Sequence, residues 1–455
     1  MAPFKAVKSL YSLTQQVIIS SLKSVFKKLD NNDRQQITEL KTHFEGLPVI
    51  IVDNLAADLL DIPIIEVGSE NVEDMKIILT LQIFTSERTE RLELRHRYCR
   101  LSNTMLQPII ENAAMKSIIR AENLRKLSIR SVKCTDGILK ILGLNCQRLV
   151  ELEFEEGSYM TDEGLHWIIP NCETEVHGVC KSYWCFGQQH GCPEMISLAI
   201  TKESDYISHG DDEKMKVYLL KYFKCLKKYS CQVDGKFDLN IQPNFVSSVA
   251  KLDFLNTEEV PMIIDLQLLP SFFPHLLSIC VPIKYGQLKE FIICPNLIEL
   301  ELLIEDTDDV YTETDVEIEY LLENHPNAKN FEKLSFGHFK TLNTSEFLAI
   351  AARCPNITNL SVNVAEFLDV QKLTMRQVYF TQLKDVHVVF PDLGNAWSLE
   401  YEKILGVLSF VLQPALGITR IELEFFFGWD DSGAVFPLGK GSIKKKVQKV
   451  GHLAN

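Results

Sequence analysis

The sequence predicts an α/β chain in which one strand-and-helix unit recurs along most of its length, and three observations carry that expectation. Short segments spaced apolar-x-x-apolar-x-apolar return again and again, they return at nearly fixed intervals, and helix-period segments lie between them. Clear copies are NLRKLSI (123–129), RLVELEF (148–154), NLIELEL (296–302), NFEKLSF (330–336), NITNLSV (356–362) and QLKDVHV (382–388). Weaker ones begin at Met195, Val249, Leu276 and Ile418, and an incomplete one, RLEL, spans 91–94.

The fourth and sixth positions differ by two, so their side chains leave one face of a short strand, while the first turns inward at the bend before it. Leu124 and Leu149 stand 25 residues apart, Phe331 and Ile357 26, and Ile357 and Leu383 26. These are leucine-rich-repeat intervals. The helix-period segments are TDGILKILGLNC (135–146), TDEGLHWIIPNC (161–172), TDVEIEYLLENHP (314–326) and TSEFLAIAARCP (344–355). Thr135, Thr161, Thr314 and Thr344 or Ser345 are expected N-caps, and Glu163, Glu317 and Glu346 place negative charge in the first turn, where the helix dipole favours it. Inner parallel strands with outer helices predict a right-handed βα horseshoe over 66–427, a leucine-rich-repeat solenoid in which each unit buries its leucines against its neighbours.

Three of these helix segments end in Asn-Cys or Cys-Pro-Asn ahead of an L-x-x-L-x-L string, and TDEGL opens a helix. That combination is similar to the cysteine-containing leucine-rich repeats of F-box and related ubiquitin-ligase receptors, over roughly residues 90 to 425. Cys146, Cys172, Cys294 and Cys354 take the family's cysteine position, where a small buried thiol packs as a hydrophobe. The phasing breaks once. Residues 173–192 hold Cys180, Cys185, Cys192, His177 and His190, and deleting them restores a junction like the others, so an insertion is expected there. The cysteines lack the paired spacing of a zinc finger, and no metal or other cofactor is expected.

Residues 9–29 carry apolar side chains at 10, 13, 17, 18, 22, 25, 26 and 29, the steps of an amphipathic helix. Such a helix could cap the first repeat. Ser9, Leu10, Thr14 and Ile18 also resemble the S-L-x-x-x-C-x-x-x-aliphatic box by which von Hippel-Lindau-box receptors dock on Elongin C, with Thr14 in place of the family's cysteine. The resemblance implies an adaptor-binding set of Leu10, Leu13, Thr14 and Ile18. After a polar linker, Leu47, Pro48, Val49 and Ile50 are similar to the cullin box that follows in this family, and imply cullin contact. The same Leu-Pro opening also resembles an F-box, which would bind a Skp-type adaptor, although the Trp-containing helix of an F-box does not follow.

Composition bounds the rest. The 455 residues carry 47 basic and 61 acidic side chains, a net charge of −14, which gives no electrostatic footprint for nucleic acid. Neither a secretory leader nor a membrane span is expected, because Pro270, Pro274, His275 and Pro282 interrupt the most apolar stretch, 266–283. Twelve scattered cysteines fit reduced thiols, hence a cytoplasmic or nuclear setting. No phosphate-loop, dinucleotide, nucleophile-elbow or zinc-protease motif is found, so the chain is not expected to be an enzyme.

The expected organisation is thus a helical adaptor-binding module at 1–65, the solenoid at 66–427 and a flexible basic tail at 428–455. The expected function is that of a substrate-recognition subunit of a cullin-RING ubiquitin ligase, partnered by Elongin B-C and a cullin, or by a Skp-type adaptor, and by an unknown protein substrate. A repeat scaffold without ligase association is the alternative. The strand positions Glu151, Glu153, Glu299, Glu301, Lys333 and Arg420 lie between the buried anchors and are the expected substrate contacts, suiting a basic or mixed-charge peptide.

Overall fold

In the computed structural model the described residues are 10–26, 34–60, 78–94, 107–129, 134–156, 162–170, 191–202, 219–220, 223–232, 236–237, 246–255, 263–283, 287–304, 317–336, 341–342, 344–364, 380–390, 418–425 and 445–448. The chain divides into two compact units, Met1–Cys231 and Gln232–Asn455. Both are α/β.

Unit one opens with helices α1 (Leu10–Phe26), α2 (Arg34–Glu45) and α3 (Val49–Leu60). Its sheet is parallel: β1 (Arg91–Leu94), β2 (Lys126–Ile129), β3 (Glu151–Glu156), β4 (Ser197–Lys202) and β5 (Lys228–Gln232), with Arg91, Lys126, Glu151, Ser197 and Lys228 in register. Helices α4 (Gln107–Arg120), α5 (Asp136–Asn145) and α6 (Asp162–Ile168) fall between the strands. In unit two the parallel strands are β6 (Lys251–Leu255), β7 (Ser278–Ile283), β8 (Glu299–Ile304), β9 (Lys333–Ser335), β10 (Asn359–Val364), β11 (Asp385–Phe390) and β12 (Arg420–Phe425). Lys251, Ser278, Glu299, Lys333, Asn359, Asp385 and Arg420 share one register row.

One hydrogen-bond device sets every step. A single carbonyl just ahead of a strand accepts two consecutive N–H groups from the next copy. Glu90 accepts from Arg125 and Lys126, Arg125 from Val150 and Glu151, Val150 from Ile196 and Ser197, and Ile196 from Lys227 and Lys228, all at 2.8–3.0 Å. Unit two repeats it from Ala250 through Leu277, Ile298, Glu332, Thr358 and Lys384. Asparagines brace the same corner. The side-chain amides of Asn123, Asn296 and Asn356 donate to the carbonyls of Glu87, Pro274 and Lys329 in the preceding copy, at 3.0, 3.0 and 2.9 Å.

The cysteines end helices and begin turns. Cys146 N–H donates to Leu142 O at 2.8 Å, and Cys146 O accepts Leu149 N–H at 3.0 Å. Cys294 and Cys354 sit alike, and burial pushes all three thiols up to about 12, so none is a nucleophile near neutral pH. Cys172, His177, Cys180, Cys185 and His190 lie outside the described residues, as do Thr161 and Thr314. The turn before β4 is made by Cys192, whose carbonyl accepts Met195 N–H at 3.2 Å. Deleting 173–192 or 172–191 yields the same string, so the sequence could not say which cysteine closes the repeat; the backbone places Cys192 there. Gly191, at φ 92°, makes the approach, donating to Gly143 O at 2.9 Å.

Thr135 caps α5 as expected, accepting Ile138 N–H at 3.4 Å. Thr344 instead is the first residue of α8 (Thr344–Arg353), which follows α7 (Glu317–Asn324), so neither it nor Ser345 is an N-cap. Within 428–455, β13 (Lys445–Gln448) lies antiparallel to β12.

His325 takes the place of cysteine after α7. Asn327 N–H donates to its Nδ1 at 3.1 Å, which leaves Nε2 as the donor to Cys294 O at 3.1 Å. Burial holds its pKa below the usual 6.5. The unfolded chain therefore takes up this proton first, and unfolding free energy is expected to fall as pH drops below 6.5, a slope that His325→Asn should flatten in urea titrations.

Helices α5 and α6 pack through glycine. A Cβ at Gly143 would stand 1.9 Å from Trp167 O, and one at Gly164 2.1 Å from Asp136 Oδ1, whereas at Gly137 nothing lies nearer than 3.6 Å. Gly143→Val is expected to cost about 3 kcal/mol or more, and Gly137→Ala to be neutral or to stabilise by up to about 1 kcal/mol, as read by denaturant unfolding.

Candidate functional site

Two surfaces carry the residues singled out by sequence, the N-terminal helical module and the open faces of the sheets. The module is held by a cluster of Leu22 and Phe26 from α1, Leu55, Ala56 and Leu59 from α3, and Leu79, Ile83 and Phe84 from the helical turn 78–84. Burying each large apolar side chain contributes about 1.5–3 kcal/mol, so α1 is firmly docked by its C-terminal half. Ile18 is half-buried against the same cluster. Leu13 and Val17, one turn apart on the other side, are 45% and 66% exposed, and Thr14 beside them is exposed too. Leu10 begins the helix, and its side chain lies outside the described residues. The expected adaptor set is thereby split, with Ile18 turned to the chain's own core and Leu13 and Thr14 to solvent. Val17 joins them, a residue the box pattern does not include but the helical period does.

The second box is split by the same geometry. Pro48 leads into α3, its carbonyl accepting Ile51 N–H at 2.9 Å and Val52 N–H at 3.2 Å. Pro48 is exposed and Ile50 is 70% exposed. Leu47 and Val49 turn inward to a groove of about 650 Å³, whose walls also include Phe44, Val52, Ile83 and Phe84. Arg88 fixes the corner by donating from Nη1 to Glu45 O at 2.7 Å and from Nη2 to Leu47 O at 3.5 Å.

Asp53 lines the same groove and is only 5% exposed. Its Oδ2 accepts the N–H groups of Glu90 and Arg91 at 3.2 and 2.9 Å. In later copies those two N–H groups go to the shared carbonyl of the preceding repeat. Here a side-chain carboxylate stands in for that carbonyl and joins α3 to the first strand. The spacing of apolar residues carries no hint of this role; an acid inside an otherwise apolar helix face, VIIVDNLAADLL, was the available signal.

On the open face of unit one, Lys126 Nζ is 2.6 Å from Glu151 Oε1, and Ser128 Oγ donates to Glu153 Oε2 at 2.8 Å. In unit two, Ser278 Oγ donates to Glu299 Oε2 at 2.7 Å, Lys251 Nζ lies 3.8 Å from the same carboxylate, Lys333 pairs with Glu301, and Arg420 with Glu422. Burial opposes the charge on Lys333, but the hydrogen bond it donates to Glu301 and the nearby carboxylates outweigh it and raise its pKa. The acidic rows read from sequence are thus partly neutralised across neighbouring strands. Each exposed pair contributes at most about 1 kcal/mol, so a charged partner could exchange these contacts at little cost.

Burial, opposed by the two backbone hydrogen bonds, raises the Asp53 carboxyl from 3.8 to about 6. The folded chain holds this proton more tightly than the unfolded one, so the Asp53 contribution to stability is greatest at low pH and is lost as pH rises from about 4 through 6. Asp53→Asn keeps an acceptor and removes the charge. Urea titrations are expected to show this dependence abolished and stability at pH 8 equal to or above that of the parent. Asp53→Leu strands two N–H groups and is expected to cost about 2 kcal/mol or more.

No family model matches the sequence, and no curated protein matches it at significant similarity.

Proposed function

We propose that the chain is the substrate-recognition subunit of a cullin-RING ubiquitin ligase, with its repeats stacked as a leucine-rich-repeat horseshoe and its N-terminal helices held by an adaptor. The observation that carries this reading is the divided helix α1. Its C-terminal half packs into the module's own core, while Leu13 and Val17 stay 45% and 66% exposed. Exposed aliphatics one turn apart are what a helix offers to a partner's groove, and they fall within the segment that resembles an Elongin-binding box. The exposed Pro48 and Ile50 supply a second, weaker support at the place of the cullin box.

In this reading the protein performs no bond chemistry. It raises the local concentration of a target near the ubiquitin-charged enzyme, an effect of position alone. The strand rows that include Glu151, Glu153, Glu299, Glu301, Lys333 and Arg420 would hold the target, and the setting would be cytoplasmic or nuclear. No helix among the described residues is long and apolar enough to cross a membrane.

A plain interaction scaffold is the second reading, favoured by the bond from Asp53 to β1, which makes the helical module a cap for the repeats in its own right. A pull-down with purified Elongin B-C separates the two. Retention of the full chain, reduced at least about tenfold by Leu10→Asp, is expected for the receptor. No retention on Elongin B-C rejects that adaptor, and capture by a Skp-type adaptor instead would assign the F-box variant.

A further inference from the structure

The groove at the α2–α3 corner does not depend on which adaptor, if any, holds α1. We propose that it is a docking site for a lysine side chain carried between apolar residues on a segment of a partner protein. Its lining is mixed: aliphatic and aromatic side chains, with the Phe44 and Phe84 rings 4.8 Å apart between centroids, alternate with charged and polar ones. A volume of about 650 Å³ suits a few residues of peptide rather than a single small ion.

The charge that selects the occupant is Asp53. Both of its backbone hydrogen bonds fall on Oδ2, and Oδ1 has no hydrogen bond among the described residues. The carboxylate is buried, with Val52, Ile83 and Phe84 lining the groove beside it, and that burial raises its pKa. Glu90 and Arg91 face it from the strand side and offset each other in sign. The other charged residues lining the groove are Lys41, Glu45, Glu87, Arg88, Arg120 and Glu122. They balance at three of each sign, and all except Lys41 are exposed and therefore screened by solvent. Arg88 is already turned to the backbone carbonyls of Glu45 and Leu47. An ammonium group fits better than a guanidinium, because a fork needs both carboxylate oxygens and Oδ2 is taken.

The test uses the full-length chain, labelled at Ile, Leu and Val methyls, and three probe peptides: acetyl-Leu-Lys-Leu-amide, its norleucine analogue and its glutamate analogue. The expected result at pH 7.5 is that the lysine peptide shifts the methyls of Val52, Ile83 and Ile119 and binds at least about tenfold more tightly than either analogue. That preference is expected to shrink as pH falls below 6 and Asp53 takes up its proton, and to vanish in Asp53→Asn. Equal binding of the three peptides, no binding at millimolar concentration, shifts confined to other methyls, or a lysine preference that survives in Asp53→Asn each overturns the proposal. Should the variant fail to fold, the selectivity and pH profile of the parent chain decide it. None of these measurements involves an adaptor, so failure here leaves the ligase reading standing, and the reverse also holds.

Discussion

The shared carbonyl at the foot of each strand is the constraint on which the rest depends. Because one acceptor serves two consecutive N–H groups of the next copy, the register between neighbouring strands is fixed at a single point, and a slip of one residue would expose every anchor leucine. The leucines supply the free energy, but they could be satisfied in more than one alignment. The carbonyl, with the asparagine amide beside it, permits only one. This explains why strands as short as Lys333–Ser335 keep the same alignment as strands twice their length.

Much of this was legible in the sequence. The apolar triplets gave the strands, and their spacing gave the order of pairing, because period-two positions and repeat intervals are local properties. The helix cap at Thr135 was legible for the same reason. Less legible was anything that required knowing what stands across a gap. Cys192 replaces Cys172 at the turn because two deletions give one string, and only backbone hydrogen bonds separate them. Thr344 falls inside its helix, whose start lies earlier than a hydroxyl N-cap at 344 would put it.

At the candidate site the sequence leaves out what stands across space, and the reasons are again physical. Rows of glutamates on strands look acidic when counted along the chain, but Lys126 and Lys333 from adjacent strands and Lys251 from two strands away partly neutralise them in space. The adaptor stripe was read as one unit, whereas a helix packed on one side must divide its apolar residues between core and solvent. Ile18 and Val17 are adjacent in sequence and fall on opposite sides of that division.

Asp53 has one further consequence. A parallel sheet whose first member keeps unanswered amide groups is a template, and a second molecule could lay its own backbone there and extend the stack without limit. By occupying the first two of those groups with a carboxylate, α3 blocks the start of the template. The segment Lys445–Gln448 does a comparable service beside β12, by pairing with it in the opposite direction. Repeat architecture invites polymerisation, and here one acid meets the first strand of one unit while a short antiparallel strand meets β12 of the other.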